Sequence, residues 1–183
     1  MVFPPHWGLA KSPEGPQNAL HCISTPFNHG NHPMPKWIIR SFTQAVLGLL
    51  AFFARRQRLS WVSNLLGKSL ARLAIQSKAI GQASEVSQLG PLWQRAFPSR
   101  KQVPIESVTG NTVMAQIRTP CPLRGSGDVQ ACYRMMAFDR ELLRRVGGQF
   151  VVLESQASPG VSFCRVAMRL QGESMSDLVA AHE

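Results

Sequence analysis

The stretch VPIESVTGNTVMAQIRT, residues 103–119, is where the apolar pattern of the chain changes from a period of 3.6 to a period of 2. Val103–Val108 and Thr112–Thr119 read as two strands joined by a short turn at Thr109-Gly110-Asn111. In the second strand Val113, Ala115 and Ile117 fall on one face, and Met114, Gln116 and Arg118 on the other. Downstream, Asp128 is placed to cap a helix over Val129–Val146 with Val129, Cys132, Met135, Met136, Leu142, Leu143 and Val146 on its apolar face. Gly147-Gly148 closes that helix. Gln149–Gln156 and Val161–Leu170 then form a second hairpin around Ser158-Pro159-Gly160. Glu154 and Gln156 on that hairpin, and Asp139 beside Arg140 on the helix, read as solvated surface groups or ion-pair partners.

Upstream of residue 103 the period is helical. Trp37–Ala54, WIIRSFTQAVLGLLAFFA, places apolar residues at 38, 39, 42, 46, 49, 50 and 53, the pattern of an amphipathic helix with a broad apolar face. Its unbroken apolar run, Ala45–Ala54, is too short for the ~20 residues that cross a bilayer. One broad face serves equally to join a core or to lie on a membrane surface. A second helix is predicted over Trp61–Ile80, with Ser60 as N-cap and Trp61, Leu65, Leu66, Leu70, Leu73 and Ile80 inward. A third is predicted over Val86–Phe97, ended by Pro98. Runs of helices followed by hairpins argue for an α+β fold: N-terminal helices, then hairpin–helix–hairpin in a four-stranded antiparallel sheet. The expected divisions are a disordered leader at 1–35, a basic helical segment packing onto the sheet at 36–101, the hairpin–helix–hairpin unit at 102–175 and a tail at 176–183. Met34 is a plausible true start.

The chain has 183 residues, a formal net charge of +10 and 44% hydrophobic residues, which excludes wholly disordered and disulfide-dense classes. The charge is uneven. Residues 36–101 hold eleven Lys and Arg against the single acid Glu85, a net of +10, while residues 102–183 hold eight Arg against eight Asp and Glu. Such a segment suits an anionic partner, either an anionic membrane surface or an acidic protein. Trp61 and Trp93 lie within it, but no recognition-helix or RNA-binding signature accompanies them, so nucleic acid is not expected.

Chemistry concentrates in Thr119-Pro120-Cys121-Pro122-Leu123-Arg124-Gly125-Ser126-Gly127-Asp128. Two prolines hold Cys121 in extended backbone before a helix, and the helix N-terminus and Arg124 would favour its thiolate. Cys121 is thus the candidate nucleophile and Arg124 its helper. Cys132 on the helix and Cys164 on the last strand complete a Cys121/Cys132/Cys164 set with the ligand type for zinc or an iron–sulfur centre, though without a CxxC spacing. The leader's His6, His21, Cys22, His29 and His32 read as a chance cluster, and His182 as a frayed terminus. No phosphate-loop or dinucleotide fingerprint occurs.

The order of elements, with Cys121 just before the fourth helix, Cys132 within it and Cys164 on the last strand, resembles the ligand-binding fold of 4-vinyl-reductase-type domains and L-2-amino-thiazoline-4-carboxylate hydrolase-like proteins. The resemblance covers residues 37–170, and the last-strand Cys here lacks the Gly-Asp-Pro lead-in of the vinyl-reductase type. It implies a hydrophobic small-molecule pocket between helices and sheet, with metal-binding cysteines in some members. The expected function is therefore binding of an apolar or thiol-linked small molecule, with a Cys-dependent hydrolase of a small thiazoline or amide as the first alternative. A membrane-associated adaptor is the second. Free thiols and the absence of a convincing cleavage site point to a cytoplasmic protein, peripheral at the inner membrane in the adaptor reading.

Overall fold

A computed structural model describes residues 36–183; the expected leader at 1–35 and its histidine cluster lie outside the described residues. Three helices come first: α1 (Lys36–Arg55), α2 (Ser60–Ser77) and α3 (Val86–Arg95). They are followed by β1 (Ile105–Thr109), β2 (Thr112–Ile117), α4 (Val129–Met135), α5 (Ala137–Arg145), β3 (Gly148–Glu154) and β4 (Cys164–Leu170). The four strands form one antiparallel sheet in the order β1-β2-β4-β3. This is the expected α+β class.

The first hairpin turns at Gly110, whose φ of +57° is one that glycine adopts without a Cβ clash. The register sets Val113 opposite Met168, Ala115 opposite Val166 and Ile117 opposite Cys164. These residues are buried, and Phe150 and Val152 of β3 continue the same apolar face. α3 and α5 lie on that face, with the fully buried Trp93 and Leu89 of α3 filling the layer between. α1 and α2 form an antiparallel hairpin that packs on α4 and α5, so of the three N-terminal helices α3 makes the main sheet contact.

Several expectations are corrected. The single helix over 129–146 is two, α4 and α5, broken at Met136 (φ −75°, ψ 14°). The break lets α4 pack against α1 and α2 while α5 turns onto β3. Ser60 does not cap α2 by accepting; its hydroxyl donates to Gln57 O at 2.8 Å. The most buried positions of α2 are Ser63, Gly67 and Ala71; of the residues expected inward, Leu66 and Leu70 are half-buried, while Trp61, Leu65 and Leu73 are exposed. A Cβ on Gly67 would stand 3.0 Å from Phe138 N and 3.2 Å from Ala137 Cβ, so small residues are what let α2 and α5 approach this closely. The expected tail is also ordered: Ala180 is buried, Ala181 N donates to Val152 O at 2.8 Å, and His182 stacks on Tyr133 with ring centroids 4.0 Å apart.

Candidate functional site: a cavity between the helical hairpin and the open end of the sheet

Where β2 runs out at Ile117 and β4 begins at Cys164, the sheet end meets α1, α2 and the α4–α5 break. The elements do not close on one another there. They leave a cavity of about 240 Å³ walled by Leu47 and Leu50 of α1, Leu70 of α2, Phe97, Ile117, Met135, Met136 and Phe138. Thr119, Pro120 and Cys121 form its loop side, and Cys164, Asp139 and Gln156 are its buried polar groups. The break at Met136 is what presents both methionines to this space.

Gln156 organises the loop side. It is fully buried, contrary to its expected exposure, because the segment that turns after β3 lies against the Cys121 loop and is bonded to it. Its Nε2 donates to Ile117 O and Thr119 O, each at 3.0 Å, and its Oε1 accepts from Cys121 N at 3.3 Å and from Arg124 Nη2 at 2.8 Å. Gly125 N and Gly127 N donate to Gln156 O and Ala157 O, both at 2.8 Å. Both glycines have positive φ, +65° and +74°, which is how the chain curls around this side chain. An isolated Gln in a strand pattern carries no sequence signal for such a role.

Cys121 is half-buried and its Sγ accepts from Leu123 N at 3.4 Å. The expectation of a favoured thiolate is not met. Burial pushes the thiol up, and this outweighs the Leu123 amide and Arg124, which act in the other direction. Arg124 is turned away: its guanidinium bonds Gln156 Oε1 and Ser162 O. The N-terminus of α4 is likewise taken, since Asp128 accepts from Ala131 N at 2.8 Å.

Cys132 and Cys164 are buried and hydrogen-bonded to each other, so their titrations are linked. Cys132 is the more acidic partner, lowered first by the Cys164 thiol and also by Ser155, while the shared hydrogen bond and burial hold Cys164 protonated. With these sulfurs turned to each other and Cys121 bonded within its own loop, the three do not form a ligand set. Among the described residues no group of three or more His, Cys, Asp or Glu is placed to hold a metal ion. The residues present do not fit the zinc or iron–sulfur centre suggested by their ligand type.

Asp139 is buried, also contrary to expectation, and its Oδ1 accepts from the indole Nε1 of Trp93 at 2.9 Å. Burial raises its carboxyl to about 6 against the opposing effects of that indole and of Arg140. Glu154 is exposed as expected. No family model, curated protein or solved structure matches the chain.

Proposed function

We propose that this domain binds a compact, mainly apolar small molecule in the cavity beside Cys121. The observation that carries the reading is the cavity itself: an apolar wall of Leu, Met and Phe into which a few polar groups converge, the usual make-up of a small-molecule site. Its volume, about 240 Å³, lies just under the ~300–1,000 Å³ common for drug-sized ligands, so the ligand is small. The resemblance to the vinyl-reductase-type fold implies a pocket between helices and sheet as well. Against the Cys-dependent hydrolase stand the raised Cys121 thiol and the engagement of the cavity's one carboxyl, Asp139, with the Trp93 indole. The one histidine among the described residues, His182, is stacked on Tyr133.

The test uses the thiol as a reporter. In a Cys22→Ser background, Cys121 is modified with hexyl methanethiosulfonate and with the anionic sulfonatoethyl reagent, each rate being read by intact mass and divided by its rate with glutathione. The apolar reagent is expected to react about tenfold faster on that scale, a preference worth about 1.4 kcal/mol, consistent with the ~0.8 kcal/mol gained per buried methylene. Ala96→Phe, which fills the cavity from the end of α3, should abolish the preference. Equal normalised rates, or a preference that survives Ala96→Phe, would sink the proposal.

A further inference from the structure

We propose that the outer face of the α1–α2 hairpin docks on an anionic phospholipid surface. The inference rests on a different part of the molecule from the cavity. Because α2 buries its small residues Ser63, Gly67 and Ala71, three of its large ones, Trp61, Leu65 and Leu73, face out. α1 buries Leu50, Ala51 and Ala54 and turns Phe42, Leu49 and Phe52 out. These six side chains are between 49% and 70% exposed. They are six of the nine large hydrophobic residues exposed among the described residues, so the apolar surface is gathered on one hairpin instead of being scattered.

Cations accompany that apolar surface. Arg55, Arg56 and Arg58 at the hairpin bend and Lys68 on the outer side of α2 are exposed and enter none of the described ion pairs. Arg56 lays its guanidinium 4.6 Å from the centre of the Phe52 ring, as a basic side chain does when its stem follows apolar surface and its head points to water. Arg72 and Lys78 are partly committed elsewhere, to Glu141 and to Ala96 O. Glu85, the one acid of residues 36–101, lies beyond α2 at the start of α3.

Charge complementarity selects the occupant. A nucleic acid would meet the cations but leave six large apolar groups in water. A bilayer interface supplies anions at headgroup depth and hydrocarbon just below, which is the setting of aromatic-bearing basic amphipathic helices. None of the described helices is long and apolar enough to cross a membrane, so the contact is one of lying on the surface.

The experiment is co-sedimentation of the full chain with vesicles of phosphatidylcholine alone and of phosphatidylcholine with one-third phosphatidylglycerol, at low and high salt. Anionic vesicles are expected to bind at least tenfold more tightly, since each basic residue near an anionic leaflet strengthens binding about fivefold and salt screens the effect. Trp61 emission, taken as the difference from Trp61→Phe, should shift to the blue on binding. The triple variant Arg55→Glu, Arg56→Glu, Lys68→Glu should lose the anionic preference. Phe42→Ser, Phe52→Ser, Leu65→Ser should weaken binding to both vesicle types; all six positions are exposed, and circular dichroism would verify that the folds persist. Equal affinity for the two vesicles, or charge reversal without effect, would overturn the proposal. So would tight binding of single-stranded RNA that the serine variant leaves unchanged. A vesicle-free dimer that the serine variant dissociates would overturn it in favour of a second copy of this chain.

Discussion

Asp139 and Glu141 lie two positions apart on α5, and their surroundings drive their carboxyls in opposite directions. Glu141 is covered by Arg72, Arg144 and Arg145, whose guanidinium groups approach to between 2.7 and 3.5 Å, and its carboxyl is held at about 2. Asp139 points into the apolar interior beside Trp93 and is raised to about 6. A carboxyl raised on folding binds its proton more tightly in the folded state, so its share of stability grows as pH falls from about 7 towards 4 and is lost as pH rises through 6. Glu141 acts the other way and weakens the fold only below about pH 4.5. Asp139→Asn keeps an oxygen acceptor for the indole but cannot ionise. The variant is expected to be more stable than the parent at pH 7, by an amount of order 2–3 kcal/mol, and to lose the gain in stability between pH 7 and 5. Urea unfolding followed by Trp fluorescence across that range checks it; an unchanged pH profile would contradict the assignment. None of this was legible in the sequence, where Asp139 beside Arg140 reads as a surface ion pair. Arg140 instead reaches Tyr133, bonding its carbonyl and lying over its ring.

Helix α2 shows how periodicity can be read correctly and the face still be assigned wrongly. Its apolar residues recur at helical spacing, but a close crossing with α5 rewards small residues, so the Ser63–Gly67–Ala71 stripe is buried while Trp61, Leu65 and Leu73 are turned out. The cost of that choice is visible at Ser63, whose Oγ is buried without a hydrogen-bond partner. Leaving a buried hydroxyl unpaired costs about 1–3 kcal/mol. Ser63→Ala removes the orphan atom and improves helix propensity without adding bulk, and is expected to stabilise the protein by about 1 kcal/mol. A fall in the thermal midpoint would show that the hydroxyl has a role in the packed state. The Trp37–Ala54 pattern is resolved by the same geometry: α1 buries one side in the core and leaves the other uncovered, so its broad apolar face is divided between two environments.

The chain after β4 closes the molecule along an edge that would otherwise be open. β3 is an edge strand, and Ala181 N caps its Val152 carbonyl. Arg169, itself buried, is held by Asp177 and by the Ser174 carbonyl. Removing residues 174–183 uncovers the Val152 carbonyl on the edge strand and leaves Arg169 with Thr112 but without Asp177 and the Ser174 carbonyl, which together invite edge-to-edge pairing. The truncated chain is expected to melt several degrees lower and to self-associate with increasing concentration, as read by light scattering. A monomer of unchanged midpoint would show that the segment is dispensable. A short, weakly patterned stretch reads as a tail, and its anchoring depends on Arg169, five residues before Ser174 and on the far side of a turn.

The α+β class, the helix-then-hairpin order, the turn at Gly110, the Asp128 cap and the one-sided charge all follow from local rules. Period, turn chemistry and charge count act over a few residues, and a single chain displays them without knowledge of its neighbours. The cavity beside Cys121, the burial of Asp139 and Gln156, the pairing of Cys132 with Cys164 and the outward turn of Trp61, Leu65 and Leu73 arise between segments far apart in the chain. Those outcomes depend on which surfaces approach most closely and on what low-dielectric surroundings do to a thiol or a carboxyl. These quantities exist only once α5 is laid on α2 and the Gln156 segment is folded beneath Cys121.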